Sequence, residues 1–417
     1  MKILLIGYNC ATNFLADWLS KHPTVKKVYH FGSDPSNKIN GKYIPVIFDL
    51  KRSDISRYIL DYIKETDADL IIPMLAFHQI WPEFYQALEE KGIPYLMPRP
   101  EHGLLEFSKI KTKKMLEKIG VPTPKYQILN LEEVLEYFKD IPRPFVLKYD
   151  QDWRYGLQTV VITDDNVDPE YEYICQQGNK RFTLNIGDFI NQQFIIEEFL
   201  KGSREYSYHA LCNSTGWSYI GSARDYKKRF NGDQGFNTAG MGAYSLKDKI
   251  NPIVHSYTEK ILNHLKSEGM SYKGFLYLGI MEDQNGNPHV LEINTRAGDP
   301  EINTILSVIE NDVLDLLYKT ALNEKIDPVL FNSEESVAIR TVNKDYDIHK
   351  CNSKRVFADN VPNDIIQSKN TGDPTVSNSV FTCTADSVEE ASNKLYNFLK
   401  DIDFKDYTYR TDIGYLK

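Results

Sequence analysis

Cysteine is scarce in this chain, and its placement argues against two common kinds of structural site. The 417 residues contain five cysteines, an odd number, and none of them forms a C-x-x-C pair. Disulfide frameworks need paired cysteines, and zinc sites usually need closely spaced ones. The pattern therefore predicts neither kind of site, and it favours the reducing cytoplasm as the location.

Long apolar runs and excess positive charge are also missing. No apolar stretch approaches the ~18 residues that span a bilayer, so no membrane partner is predicted. Acidic residues outnumber basic ones by 58 to 49, and a net charge of −9 argues against a nucleic-acid partner. Polar residues soon follow the opening MKILLIG, which therefore indicates a buried strand rather than a signal sequence.

Apolar runs alternate with amphipathic segments over the first hundred residues. Strands are predicted at KILLIG, KVYHF, DLIIPM and IPYLMP, and helices at 13–21, 53–64 and 82–91. This alternation predicts a parallel sheet, with ligands beyond the carboxyl ends of its strands, near 7–12 and 73–78. The first of these loops, GYNCAT, holds a single glycine, which disfavours a phosphate-cradling dinucleotide site.

A hairpin is predicted where the turn-forming segment DQNGNP separates the strands FLYLGIME and HVLEIN. Glu292, Asn294 and Arg296 alternate along the end of the second strand and therefore project to one face. A carboxylate and an amide oxygen suit Mg²⁺, and an arginine supplies a planar fork for phosphate oxygens. The alternative is an ordinary solvated ion pair at a strand end. A turn at 298–301 then leads into an apolar helix predicted over 302–322.

Other segments are less distinctive by themselves. A basic helix is predicted at 108–120, where a solvated face explains most of the lysines, and Lys148 lies in the predicted strand RPFVLKYD. Strands are also predicted at QQFIIEEFLKG and REYSYHALC, and helices at 252–266 and 387–399. The segment 224–245 is polar and rich in glycine, and long loops of this kind inside a domain tend to be functional.

Five motifs resemble, in order, those of the phosphoribosylamine–glycine ligases (glycinamide ribonucleotide synthetases), ATP-grasp enzymes of purine synthesis. EFSKIKTKKMLEKIGVPTP resembles the segment that opens the family's nucleotide-binding half, and IIEEFLKG resembles its adenine-binding hinge. The other three are DYKKRFNGDQGFNTAGMGAYS, LEINTRAGDPE and YRTDIG. Together these motifs span nearly the whole chain.

The resemblance implies an α/β protein in three parts. These are an N-terminal parallel-sheet (pre-ATP-grasp) domain at 1–102, a central ATP-grasp fold at 103–324 and a mainly β, barrel-like C-terminal domain at 325–417. A small lid subdomain is expected at about 122–200. It would contain a mobile flap at 150–159, where this chain lacks the family's usual lysine.

The resemblance also assigns roles to particular residues. Seven would bind ATP through side chains or main chain: Lys109, Lys148, Glu197, Glu198, Phe199, Leu200 and Glu205. Two would hold Mg²⁺ or Mn²⁺: Glu292 and Asn294. Three would be catalytic: Asp225, Lys227 and Arg296. Eight would line the carboxylate and amine pockets: Asp233, Asn237, Thr238, Gly240, Met241, Gly242, Gly298 and Asp299.

The implied function is that of an ATP-dependent carboxylate–amine ligase acting through an acyl phosphate, as a monomer or homodimer. Its partners would be a small carboxylate such as glycine and an amine. The first loop departs from the family, since GYNCATN replaces the G-x-G-G-R-E-H that helps to hold phosphoribosylamine. Two alternatives therefore stay open: a ligase of a specialised pathway that uses a different amine, and a nucleotide-binding homologue without catalysis.

Overall fold

The computed structural model describes residues 1–33, 40–47, 55–74, 82–150, 159–178, 193–202, 204–269, 271–344, 357–358, 360–369 and 377–415. Strands and helices alternate at its N-terminus. They are β1 (Lys2–Ile6), α1 (Cys10–Lys21), β2 (Lys27–Phe31), β3 (Tyr43–Val46), α2 (Ile55–Thr66), β4 (Leu70–Pro73) and α3 (Pro82–Lys91).

In this described part, the four strands form a parallel sheet in the order β3-β2-β1-β4. Side chains of β1 alternate between two hydrophobic clusters, with Ile3 and Leu5 in one and Leu4 and Ile6 in the other. All four are fully buried, as expected for a strand covered on both faces. The parallel sheet predicted from the sequence is confirmed.

The strand predicted at IPYLMP is wrong. Within the described residues this segment makes only an isolated bridge between Ile71 and Tyr95. Ile71 N donates to Pro94 O at 3.0 Å, and Leu96 N donates to Ile71 O at 2.9 Å. Pro94 and Pro98 have no N–H group, so a longer ladder would lack donors.

Two helices, α4 (Pro100–Phe107) and α5 (Lys109–Lys118), lead into a small antiparallel sheet. Its elements are β5 (Tyr126–Leu129), α6 (Leu131–Tyr137), β6 (Phe145–Tyr149), β7 (Thr159–Ile162), α7 (Val167–Gly178) and β8 (Phe194–Glu198). The described strands lie in the order β5-β8-β6-β7. Helix α6 begins at a capping box, in which Asn130 and Glu133 bond each other's backbone N–H groups.

The remaining elements build a large antiparallel sheet. They are β9 (Arg204–Asn213), β10 (Gly216–Asp225), β11 (Lys228–Phe230), β12 (Gln234–Asn237), β13 (Gly242–Lys247), α8 (Ile253–Ser267), β14 (Gly274–Glu282), β15 (Pro288–Asn294), α9 (Glu301–Leu306), α10 (Val313–Ala321), β16 (Glu335–Asn343), β17 (Ile365–Lys369), β18 (Ser377–Ala385), α11 (Val388–Leu399) and β19 (Tyr407–Thr408). Among the described residues its strand order is β15-β14-β9-β10-β13-β16-β18-β17, with β19 beside β16. The predicted hairpin is confirmed as β14–β15.

The C-terminal strands continue this central sheet through antiparallel pairing of β13 with β16. Helix α11 then packs Leu395 and Leu399 into the same cluster as Phe381 of β18. The predicted fold class, with its parallel and antiparallel parts, is confirmed, while the domain boundaries at 102 and 324 stay a prediction. No helix in the described ranges is long and apolar enough to cross a membrane.

The single helix predicted over 302–322 is wrong, because the chain forms two helices there, α9 and α10. Between them the backbone pairs with a neighbouring segment: Glu310 N donates to Leu330 O at 2.8 Å, and Asn332 N donates to Val308 O at 2.9 Å. Asp312 then caps α10, accepting from Leu314 N at 2.9 Å. The cap at Asp312 and the backbone pairing with 330–332 are therefore favoured over a continuous helix.

Gly242 gives a test of the pairing between β13 and β16. A Cβ at this position would lie 2.5 Å from Ala338 O, so we expect Gly242→Ala to lower the free energy of unfolding by roughly 1–3 kcal/mol. Gly41→Ala is the control, since nothing lies within 4 Å of a Cβ there, and we expect a change within about 0.5 kcal/mol. Urea unfolding of both variants measures the difference, and equal midpoints would contradict the close approach.

Candidate active site

The end of β15 carries the acidic and amide side chains that the sequence singles out. Glu292 and Asn294 share one face of the strand, and Asn294 Nδ2 lies 3.4 Å from Glu292 Oε1. Gly279 pairs with Glu292 across the hairpin, and a Cβ there would lie 3.0 Å from Glu292 Cγ. The glycine therefore leaves the space beside β14 that the Glu292 side chain uses.

Cations surround the Glu292 carboxylate. Lys227 Nζ lies 3.9 Å from Glu292 Oε1, and Lys148 and Lys109 are further charged neighbours. Burial alone would raise the pKa of Glu292, but these lysines hold the pKa below its ordinary value. The carboxylate is therefore ionised at neutral pH, the state in which it can bind a metal cation.

This donor set fits Mg²⁺ bound together with a nucleotide. Within the described ranges, no group of three or more His, Cys, Asp or Glu side chains is placed to hold a metal ion. Mg²⁺ in nucleotide enzymes typically takes one or two carboxylates from the protein, with phosphate oxygens and water completing its coordination. An ionised Glu292 next to the Asn294 amide meets that requirement.

The N-terminus of α5 is fixed against the end of β6. Ser108 Oγ lies 3.1 Å from Asp150 Oδ2, and Ile110 N donates to Asp150 Oδ1 at 3.1 Å. Lys109, between these two residues, is buried, and its Nζ lies 3.4 Å from Tyr149 O. Lys109 is thus held beside β6 rather than projecting into solvent.

A buried cluster of two lysines and one glutamate joins α5, β6 and β8. Glu197 contacts Lys148 Nζ at 2.9 Å and Lys113 Nζ at 2.8 Å, one through each carboxylate oxygen. Lys113 Nζ also donates to Thr123 Oγ1 at 2.6 Å, and Lys148 Nζ donates to Leu291 O at 3.0 Å. Burial, and then the charge of Lys148, lower the pKa of Lys113 to about 7. Because one carboxylate serves two lysines, the cluster favours a bound anion.

The segment 197–200 leaves the end of β8, and after the buried Glu197 its side chains become more exposed. Glu198 is exposed, and Phe199 is 40% exposed. The backbone is held in place, since Glu198 N donates to Lys125 O at 3.0 Å and Gly202 N donates to Leu200 O at 2.8 Å. The predicted adenine-binding segment is therefore an ordered chain edge next to the buried lysine cluster.

Lys227 links two carboxylates. Its Nζ lies 3.0 Å from Glu205 Oε1 and 3.9 Å from Glu292 Oε1. Burial alone would lower the pKa of Lys227, but the negative charge of Glu205 and its neighbours raises the pKa well above its ordinary value. Lys227 is thus a fixed cation between Glu205, which is predicted to bind ATP, and Glu292, which is predicted to bind the metal.

The glycine-rich segment folds back onto its own beginning. Lys227 O accepts from Thr238 N at 2.7 Å and from Thr238 Oγ1 at 2.8 Å. Gly240 N donates to Thr238 Oγ1 at 3.1 Å, and Met241 N donates to Tyr226 O at 2.7 Å. These bonds bring the predicted pocket residues from Thr238 to Gly242 alongside Lys227.

The β11–β12 hairpin contacts both the small antiparallel sheet β5-β8-β6-β7 and the C-terminal segment. Asn237 Nδ2 donates to Thr159 O of β7 at 3.2 Å. Asp233 has φ of 54°, and its Oδ1 accepts from Arg410 Nη1 at 2.8 Å. Arg410 belongs to the YRTDIG segment and is buried. The structure thus joins the predicted substrate residue Asp233 to the C-terminal motif.

The partly buried carboxylate of Asp225 and the buried carboxylate of Glu301 lie against glycine backbone. A Cβ on Gly240 would lie 2.9 Å from Asp225 Oδ1, and one on Gly298 would lie 2.7 Å from Glu301 Cδ. No hydrogen-bond donor in the described part of the chain meets Asp225 Oδ1. Burial, and then the charge of Glu301, raise the pKa of Asp225 well above its ordinary value. A carboxyl group with a raised pKa is suited to proton transfer.

The turn at 298–301 is held by buried partners from β9 and β16. Gly298 N donates to His209 Nε2 at 3.1 Å. Burial, and then the charge of Arg296, lower the pKa of His209 to about 3, so the neutral ring carries its proton on Nδ1. Asp299 Oδ1 lies 2.6 Å from Arg340 Nη2.

Sequence reasoning misses several of these partners. The solvated-face interpretation of the basic helix is wrong for Lys113, which is 1% exposed. Its spacing of four residues from Lys109 is a usable signal, because residues at that spacing share a helix face. His209 lies in β9 and Arg340 lies in β16, and the sequence gives no signal of their roles. The predicted flap falls mainly on 151–158, and part of the loop at 73–78 falls on 75–78; both lie outside the described residues.

Comparisons with known proteins agree with this arrangement. A family model for the ATP-grasp (A) domain of phosphoribosylglycinamide synthetase matches residues 107–302. A phosphoribosylamine–glycine ligase of Allochromatium vinosum is 30% identical, over 82% of this chain and 78% of that one. Its counterpart from Vibrio parahaemolyticus is 28% identical, over 100% and 98%. The crystal structure of phosphoribosylamine–glycine ligase from Thermotoga maritima has the same fold, with a TM-score of 0.78 and 23% identity over 99% of this chain and 100% of that one.

The fold and the arrangement around β15 define an ATP-grasp enzyme, an ATP-dependent carboxylate–amine ligase that forms C–N bonds. More particularly, the chain belongs to the phosphoribosylamine–glycine ligase family of purine biosynthesis. Both the predicted family and the predicted reaction class are confirmed.

The buried lysine cluster gives a test of stability. Lys113→Met removes a cation that contacts Glu197 at 2.8 Å but leaves the second partner, Lys148, so we expect the free energy of unfolding to fall by roughly 1–3 kcal/mol. Lys114→Met, an exposed neighbour on the same helix, is the control and should change it by less than about 0.5 kcal/mol. Chemical denaturation compares the two, and equal losses would contradict a specific role for the cluster.

Proposed function

We propose that this protein joins glycine to phosphoribosylamine, with ATP converted to ADP and phosphate. The observation that carries the proposal is the ionised Glu292 beside Asn294, with three lysines as charged neighbours. A carboxylate is a poor electrophile, so amide formation in water needs activation. Transfer of the γ-phosphoryl group to the glycine carboxylate gives an acyl phosphate, from which the amine then displaces phosphate.

The lysines and the exposed chain edge support the nucleotide part of the proposal. Lys109 and Lys148 would contact the phosphates, since both are buried beside Glu292 with net positive charge around them. Main-chain groups of 197–200 would bind the adenine edge. Glu205, already positioned by Lys227 at 3.0 Å, would accept from the ribose hydroxyls.

Residues at and just after the end of β15 would neutralise the negative charge on the transferring phosphoryl group. Glu292 and Asn294 would hold Mg²⁺, or Mn²⁺, which when bound neutralises phosphate charge and orients the transferring group. Arg296, just after the end of the same strand, would meet the negative charge that builds on the phosphoryl group. These roles are electrostatic, as phosphoryl transfer requires.

The substrate pocket is proposed on the side of Lys227 and the folded glycine-rich segment. Lys227 would hold the carboxylate, together with the side chains of Asn237 and Thr238. The segment from Gly240 to Gly242, which includes Met241, and Gly298 would line the pocket. Asp225, whose pKa is raised by burial and then by Glu301, would take a proton from the attacking amine. Asp233 and Asp299 would act at the rim, each already paired with an arginine at 2.8 Å and 2.6 Å.

A second candidate, ligation of an amino acid to a different amine, is favoured by the first loop. Asn9 Oδ1 accepts from Thr12 N at 2.9 Å and from Thr12 Oγ1 at 2.6 Å. A Cβ on Gly7 would lie 2.3 Å from Thr12 Oγ1. Side chains therefore occupy the loop where the family has the glycines of G-x-G-G-R-E-H. At the start of α1, the N–H group of Thr12 already donates to Asn9 Oδ1.

One assay separates these candidates. The protein is incubated with Mg–ATP, glycine and phosphoribosylamine, and ADP release is measured beside reactions that lack one component. Release that needs all three supports the first candidate. Release with glycine and another amine, but not with phosphoribosylamine, supports the second. No release with any amino acid and amine would contradict a catalytic function.

Glu292→Gln tests the assignment at the end of β15. We expect turnover to fall by roughly 10²-fold or more, because the carboxylate charge that balances the bound cation is lost. The Mg²⁺ concentration for half-maximal rate should also rise. Glu282→Gln, in the paired strand β14 at the far end of the hairpin, is the control and should keep normal turnover. Wild-type turnover in Glu292→Gln would show that the metal binds elsewhere.

A further inference from the structure

Glu106, near the end of α4, uses both carboxylate oxygens on the chain that follows β15. Its Oε1 lies 3.0 Å from Arg296 Nε. Its Oε2 accepts from Thr295 N at 2.8 Å and from Thr295 Oγ1 at 3.2 Å. The side chain of Glu106 is 11% exposed, so these contacts are shielded from solvent. A shielded carboxylate with a charged partner holds its geometry better than a surface ion pair.

The contact fixes one side of the Arg296 guanidinium. The Glu106 carboxylate pairs with Arg296 Nε, and Ala297 O accepts from Arg296 Nη1 at 3.0 Å. The planar group therefore cannot rotate freely about its bonds, and the fork is set in one orientation. Arg296 remains 28% exposed, which leaves part of it accessible to a bound ligand.

The same short segment also holds the lysine that starts α5. Ser108, two residues after Glu106, contacts Asp150 at 3.1 Å, and Lys109 follows it at the start of the helix. Glu106 thus anchors the segment to the end of β15, while Ser108 anchors it to the end of β6. Both strand ends carry residues of the proposed phosphate site, so the segment sets their relative position.

We propose that Glu106 is a positioning residue for the ligase reaction, holding the Arg296 guanidinium in the orientation that meets charge on the transferring phosphoryl group. The inference rests on the proposed function of Arg296. Glu106 itself touches no reacting atom. Its effect is exerted through Arg296 and is needed in the transition state rather than for ATP binding.

Glu106→Gln separates the two contacts. The amide oxygen can still accept from Thr295 N, but the NH₂ group cannot pair with a guanidinium. We expect kcat to fall by roughly 10-fold to 100-fold, while KM for ATP changes by less than about twofold. The thermal unfolding midpoint should stay within a few degrees of wild type. Glu101→Gln, an exposed glutamate of the same helix, is the control and should keep both kinetic constants.

A double-mutant cycle decides whether Glu106 acts through Arg296. If it does, Glu106→Gln adds less than about twofold to the loss of kcat caused by Arg296→Ala. Losses that multiply in the double variant, or a rise in KM for ATP with kcat unchanged, would overturn the inference. If Glu106→Gln does not fold, Glu106→Asp replaces it in the cycle with the same criteria. Aspartate keeps the negative charge, but its shorter side chain holds the carboxylate farther from Arg296. Absence of turnover in wild type would instead contradict the proposed function.

Discussion

The proposed site depends on one electrostatic constraint: anions must approach one another where the surrounding side chains are partly buried. A substrate carboxylate, a chain of phosphates and the Glu292 carboxylate repel each other strongly where water is excluded. The chain meets this constraint with Lys109, Lys148 and Lys227, whose charge holds the pKa of Glu292 below its ordinary value despite burial. In the proposed function, a metal and a nucleotide would bind beside these fixed cations.

The cations themselves have to be stabilised, because an unpaired buried charge is costly. Two of these lysines and Arg296 are each held by a carboxylate from another element: Lys148 by Glu197 of β8, Lys227 by Glu205 of β9, and Arg296 by Glu106 of α4. Such pairs contribute little net stability in many proteins, but they fix geometry. The ion pairs that stabilise the charges of the site therefore also connect elements of the fold. The pair of Lys148 and Glu197 joins β6 to β8, and the pair of Arg296 and Glu106 joins the chain after β15 to α4.

Family membership and local divergence are compatible in physical terms. The machinery around ATP depends on charge balance that few residue types can supply, and its motifs are retained along 107–302. The loop that begins at Gly7 would have a different requirement, since it is proposed to contact the amine. Here Asn9 and Thr12 bond to each other and fill the start of α1. Specificity for the amine can therefore change without disturbing the chemistry at β15.

Periodicity and turn chemistry allowed many of the helices and strands to be predicted from the sequence. The alternation of β1 with α1 and the turn between β14 and β15 depend on neighbours in sequence, so local rules suffice for them. The same rules failed at 302–322, where Asp312 caps a new helix and the preceding segment pairs with residues twenty positions further on. That competing contact is not visible in a local pattern.

The candidate site divides in the same way. By itself, the sequence determined that Glu292 and Asn294 share one face of a strand, because side chains on a strand alternate. Arg296, predicted on the same strand face, lies instead in the chain that follows β15, since the strand ends at Asn294. Only the tertiary structure decided which distant groups hold them: Glu106 on Arg296 and Lys113 on Glu197. Those pairings are set by how separate elements pack, and the energy of a buried charge depends on partners that packing alone brings near.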